Sequence, residues 1–234
     1  MTKMSNSGKK SGFTLIELLV VIAIILIGSS IIFIGGSSGD GAKLSSAQRI
    51  ISGIAQGARG QALLKSKPSR LIIYSEAPSN AEADKKLRFF GIVRWDEGWK
   101  AATQGTYLPE GIYFNPDLGD SAGDIPTMSL EYPRRNIGGN TDRASGGGGD
   151  EYYFYEFKSN GTMASSNSDT QNTDFANSWL ALQAGVLKPD SDGKLTVRFP
   201  ADDPSLESLE NLKAGIIFRR VGSITFVTDP EDID

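Results

Sequence analysis

The chain predicts an α+β fold, because helical patterning comes first and strand patterning follows it without alternation between the two. Three observations carry this. An apolar run fills residues 13–34. After a Gly-rich break, apolar residues recur at steps of three and four as far as Lys65. Beyond Pro68, branched and aromatic residues gather in short runs divided by turn residues. With 39% hydrophobic and 22% charged residues among 234, the chain can bury a core and lacks the composition of a disordered protein.

Residues 1–12 carry Lys3, Lys9 and Lys10 and no acid. Residues 13–34, FTLIELLVVIAIILIGSSIIFI, have the length a membrane-spanning helix needs. A basic flank stays in the cytoplasm, so the chain beyond Gly35 is expected on the far side. A secretory signal fits poorly, because its apolar core spans only about 7–15 residues. A plain signal anchor fits the length but leaves Glu17 unexplained. A charge at the centre of a span costs about 2.5–3.5 kcal/mol. No Lys or Arg lies between Phe13 and Asp40 to offset it. Cutting between Gly12 and Phe13 would supply the missing cation, as an α-amine four residues from Glu17. Between parallel, axially offset helices, the amine of one chain could neutralise the carboxylate of the next. Burying such a pair is favourable only when both partners are present, so Glu17 reads as a register device for stacking copies.

Residues 35–42 are expected to form a hinge, because consecutive glycines weaken a helix by about 1 kcal/mol each. A second, amphipathic helix is expected over 43–65, with Ala47, Ile51, Ile54, Ala58 and Ala62 on one stripe. Pro68 ends it. Strands are expected at Arg70–Tyr74, Leu87–Trp95, Asp150–Phe157 and Leu195–Phe199. A closing hairpin is expected from Gly215–Arg220 and Ser223–Val227 around Val221-Gly222. Residues 134–150 and 159–178, rich in Gly, Ser, Thr and Asn, read as long loops.

The absence of Cys and His excludes disulfides, thiolate metal sites and every His-based relay. No carboxylates form a recognisable pair, and no catalytic activity is expected. Asp190-Ser-Asp192-Gly193 could open a calcium loop, but Leu195, Val197 and Phe199 look like strand, so a turn is favoured. Residues 229–234 form an acidic tail. Arg134-Arg135, Arg219-Arg220 and the cluster Lys85, Lys86, Arg88 and Arg94 are the basic features. Arg88 and Arg94 are expected on the wet face of a strand, and Trp95 and Trp99 at a hairpin corner and core. Loss of Lys3, Lys9 and Lys10 would leave 21 basic residues against 28 acids. So acidic a body argues against nucleic acid as a default partner.

Lys9-Lys10-Ser11-Gly12-Phe13-Thr14-Leu15-Ile16-Glu17-Leu18-Leu19-Val20-Val21 closely resembles the leader and N-terminal helix of type IV prepilins and type II secretion pseudopilins. The resemblance implies cleavage after Gly12 by a prepilin peptidase and N-methylation of Phe13. It implies a pilin fold, an inner-membrane assembly platform, other pilin subunits as partners, and a periplasmic filament packed through 13–34, with Glu17 the buried glutamate. The body after 43 is then periplasmic. More loosely, Ile50–Leu64 with Ala58-Arg59 and Ala62, Ser66–Ile73, Phe157–Thr162 with Gly161, and Ile217–Val227 with Gly222 resemble H-type minor pseudopilins and FimT-type minor pilins. The latter are associated with DNA uptake through a basic C-terminal region. Here the chain turns acidic after Arg220, and a FimT-like minor pilin that binds DNA or another ligand through its loops stands as the alternative function.

Overall fold

A computed structural model describes residues 15–16, 18–21, 38–76, 80–118, 125–132, 149–164 and 179–230. The chain divides into two compact units, Met1–Gly39 and Asp40–Asp234. In the first, residues 15–16 and 18–21 are helical. The arrangement is α+β: helix α1 (Ser38–Lys65) followed by antiparallel strands. α1 starts five residues before the expected Lys43, so residues 38–42 of the predicted hinge are helical. Residues 35–37 lie outside the described set. Asp40 in the first turn pairs with Lys43 at 2.8 Å and complements the positive end of the helix dipole. The helix ends where Ser66 turns to φ 51°, a left-handed cap, two residues before Pro68.

The strands are β1 (Ser69–Glu76), β2 (Phe89–Trp95), β3 (Trp99–Ala101), β4 (Thr106–Tyr107), β5 (Ile112–Phe114), β6 (Thr127–Leu130), β7 (Asp150–Phe157), β8 (Trp179–Ala184), β9 (Val186–Pro189), β10 (Leu195–Arg198), β11 (Lys213–Phe218) and β12 (Ile224–Val227). One sheet runs β3-β2-β1-β7-β6, with β4 also on β2; a second runs β12-β11-β8-β5; β9 and β10 form a separate hairpin.

The buried stripe of α1 is Leu44, Ala47, Ile51, Ala55, Ala58 and Ala62. Ala55 replaces the expected Ile54, which is half-buried. Four alanines let the helix lie close to its sheets. The same core takes Leu71, Ile73, Phe90 and Tyr155 from the first sheet and Leu180, Leu182, Ile216 and Phe218 from the second. The sheets are joined by Tyr155, whose hydroxyl donates to the Trp179 carbonyl at 2.8 Å. Burial pushes that phenol far above its ordinary pKa.

The first sheet is apolar on both faces. Ile72, Tyr74, Phe89, Val93, Leu130 and Tyr152 form a second cluster on the face opposite Leu71 and Ile73. Beside it, the Arg70 guanidinium lies 3.9 Å from the Trp99 ring centre and 3.7 Å from that of Phe154. Its Nε donates to Glu156 at 2.7 Å. Stacking and pairing together offset the desolvation of a half-buried charge. The expected wet face for Arg88 and Arg94 is corrected here. β2 begins only at Phe89, because Leu87 sits at φ 57°. Arg88 lies in the preceding turn, half-buried, and its Nη2 donates to the Leu108 carbonyl at 3.1 Å. Arg94 is half-buried as well.

Candidate functional site

The groups to which the sequence assigns function, Gly12, Phe13 and Glu17, lie outside the described residues. Around them, Leu15, Ile16, Leu18, Leu19, Val20 and Val21 are helical and exposed, from 82% at Leu15 to 47% at Val21. Full burial of such a side chain stabilises by about 1.5–3 kcal/mol. All six are exposed, so that stabilisation is not realised within the described residues. No helix among the described residues is long and apolar enough to cross a membrane.

In the body, residues far apart in sequence converge on Arg59. Its Nε donates to the Gly161 carbonyl at 3.1 Å. A Cβ on Gly222 would lie 2.6 Å from Arg59 Nε and closer still to the Gly161 oxygen. Gly222 also has φ 79°, which favours glycine. The Met163 N–H donates to the Arg220 carbonyl at 3.0 Å, joining the same two turns. Ahead of this clasp, Gln48 Nε2 donates to the carbonyls of Gly215 and Val227, at 3.2 and 3.4 Å. The helix is thus anchored at two levels to the C-terminal strands.

The remaining candidates fall into place individually. Asp190 and Asp192 lie in the turn between β9 and β10. There Asp190 Oδ1 accepts from the N–H groups of Asp192 and Lys194, at 2.9 and 2.8 Å. That carboxylate already serves the turn, and no group of three or more acids able to hold a metal occurs among the described residues. Asp229 lies 3.5 Å from Lys213, and residues 231–234 are outside the described set. Arg134 and Arg135 are also outside it. Arg219 and Arg220 are exposed at the β11–β12 turn, and Arg219 donates to Thr225 Oγ1 at 3.1 Å. Lys85 rests 5.5 Å from the ring centres of Tyr74 and Phe89. Trp95 and Trp99 do flank a hairpin, turning at Glu97 and Gly98, but Trp95 is 43% exposed rather than core. Sequence reasoning missed two features. The Arg70 stack could have been found as a cation alternating with Ile72 and Tyr74 on one strand face. The buried pair Asn115 and Gln183 could have been found as amides beside and within apolar runs.

Residues 7–33, which contain Gly12, Phe13 and Glu17, match the prokaryotic N-terminal methylation motif, the signal of type IV pilins and pseudopilins. No curated protein and no solved structure matches the chain. The motif supports a type IV pilin-like or pseudopilin subunit, one that assembles with other pilin subunits and meets a prepilin peptidase.

Proposed function

We propose that the protein is a structural, non-catalytic subunit of a type II secretion pseudopilus or a related type IV pilus-like filament, supporting protein secretion. The observation that carries this is the methylation motif over residues 7–33, with an acid at position 17 of an otherwise apolar run. Residues 13–34 anchor the precursor in the inner membrane, with the body in the periplasm. A prepilin peptidase cuts after Gly12, and Phe13 is N-methylated. The new amine then meets Glu17 of the adjoining subunit. That pair sets the axial step, and the apolar side chains of 15–34 leave lipid for neighbouring helices. Among pilin-like types, the H-type minor pseudopilin is the reading supported by the clasp: Arg59, Gly161 and Gly222, three of the residues behind the resemblance, meet in space.

Glu17→Ala tests the mechanism. The variant removes a desolvation cost from the membrane-inserted precursor, so insertion and cleavage should persist. Incorporation into filaments, measured by shearing and sedimentation, should fall at least about tenfold, the equivalent of about 1.4 kcal/mol. Incorporation at the wild-type level would contradict the pairing.

A further inference from the structure

Asn160 is the one asparagine of the chain that precedes a glycine. That dipeptide carries its own reaction. The backbone nitrogen of the second residue attacks Cγ of the first, and a glycine has no Cβ to obstruct the approach. The N–Cγ bond forms, the Cγ–NH2 bond breaks, and the amide proton of the glycine leaves with the ammonia. A succinimide remains. Water opens it at Cγ to give aspartate, or at the main-chain carbonyl carbon to give isoaspartate. The net change replaces an amide by a carboxylate, with water as co-reactant and no change of oxidation state.

The fold places this dipeptide at the clasp. After β7 the chain reverses through a tight turn. Its bonds run from the Gly161 N–H to the Lys158 carbonyl and from the Lys158 N–H to the Thr162 carbonyl, both at 2.8 Å. Asn160 is exposed, and its Oδ1 accepts from the Thr162 N–H at 3.1 Å and from Thr162 Oγ1 at 2.7 Å. Gly161 is buried, with φ 75°. Its carbonyl accepts from Arg59 Nε at 3.1 Å. The attacking nitrogen, the attacked carbon and the oxygen that anchors α1 thus belong to two adjacent residues.

The native turn restrains the attack, because the nitrogen is tied to Lys158 and the carboxamide to Thr162. Those bonds must open locally before the ring can close. The product, in turn, does not fit the native turn. Isoaspartate lengthens the main chain by one CH2 directly before Gly161. A Cβ on Gly161 would lie 2.9 Å from Leu63 Cδ2, and one on Gly222 would strike the Gly161 oxygen. Walled in on both sides, a longer turn must carry that oxygen away from Arg59.

We propose that Asn160-Gly161 is a self-modification site, held in check by the Arg59 clasp, and that its conversion to isoaspartate detaches α1 from the β7 turn. The proposal does not rest on N-terminal processing or filament assembly.

The test incubates the full chain in detergent micelles and mildly alkaline buffer, with and without urea. Isoaspartate at position 160 is followed by fragment sequencing of the peptide Ser159–Lys188 and by isoaspartate-specific methyl labelling. Conversion in the folded chain should be at least about tenfold slower than in urea, since two or more hydrogen bonds must open first. Arg59→Ala should speed the folded reaction several-fold and leave the rate in urea unchanged. Leu206→Ala, which lowers stability from the separate 3-10 turn Pro204–Leu209, should leave the folded rate unchanged. Folded protein aged to conversion should exchange the amide hydrogens of α1 around Arg59 faster than fresh protein. Equal rates with and without urea, no acceleration in Arg59→Ala, equal acceleration in Leu206→Ala, or unchanged exchange after conversion would each overturn the proposal.

Discussion

Glycine at 222 shows how one missing Cβ positions two turns and a helix. A side chain there would meet Arg59 and the Gly161 carbonyl at a φ of 79°. Gly222→Ala should destabilise the body by ~1–3 kcal/mol from backbone strain and crowding, read by chemical denaturation. A second residue-scale effect belongs to Asp203. Its carboxylate pairs with Lys188 Nζ at 2.7 Å and caps the 3-10 turn Pro204–Leu209 by accepting from the Ser205 N–H at 2.9 Å. The Lys188 hydrogen bond first, then those from Ser205, hold its pKa down to about 2. A carboxylate in an unfolded chain titrates near ~3.9. The contribution is therefore complete above that value and fades as pH falls towards 2. Asp203→Asn keeps an acceptor for Ser205 but loses the ion pair. Its stability deficit relative to the unsubstituted protein should be full at neutral pH and shrink between about pH 4 and pH 2. A deficit constant across that range would contradict the assignment. At this scale Asp190 was legible as a turn residue, because Leu195, Val197 and Phe199 beyond it read as strand. Gln183 was not, because nothing in one sequence says that it meets Asn115, 68 positions away.

Helix α1 was legible in its stripe and its end but not in its start. Pro68 is a local stop signal. The glycines at 39 and 41 argue for a break by propensity alone, yet both lie inside the helix, where Asp40 and Lys43 pair across its first turn. A local ion pair accompanies helix at a place where propensity argues for a break. Further along, Gly53 and Gly60 have nothing within 4 Å of where a Cβ would stand. Gly53→Ala and Gly60→Ala should each stabilise the body by roughly 0.5–1 kcal/mol, measured by urea unfolding. Gly57 is different, with Ile92 Cδ1 only 3.0 Å away. Among strands, β7 was read at its full length because its aromatics crowd between two turn signals. β8 was missed because Trp179–Ala184 is buried on both faces and shows no alternation. β3 to β6 were missed because each has four residues or fewer, too short for a period to register.

On the scale of the whole molecule, the α+β class followed from the order of patterns, while the division into two sheets did not. That division depends on contacts such as Tyr155 with Trp179, formed between residues 24 positions apart. The functional segment had the opposite character. Residues 7–33 match the methylation motif by sequence alone, without help from the fold. A filament subunit explains why one chain joins an exposed aliphatic helix to an acidic body with its own core. The account depends above all on the amine that pairs with Glu17 existing. Mass spectrometry of the N-terminal peptide from protein isolated from native membranes tests this most directly. The account predicts a peptide beginning at Phe13 and carrying one methyl group on its amine. A peptide retaining residues 1–12 would contradict it.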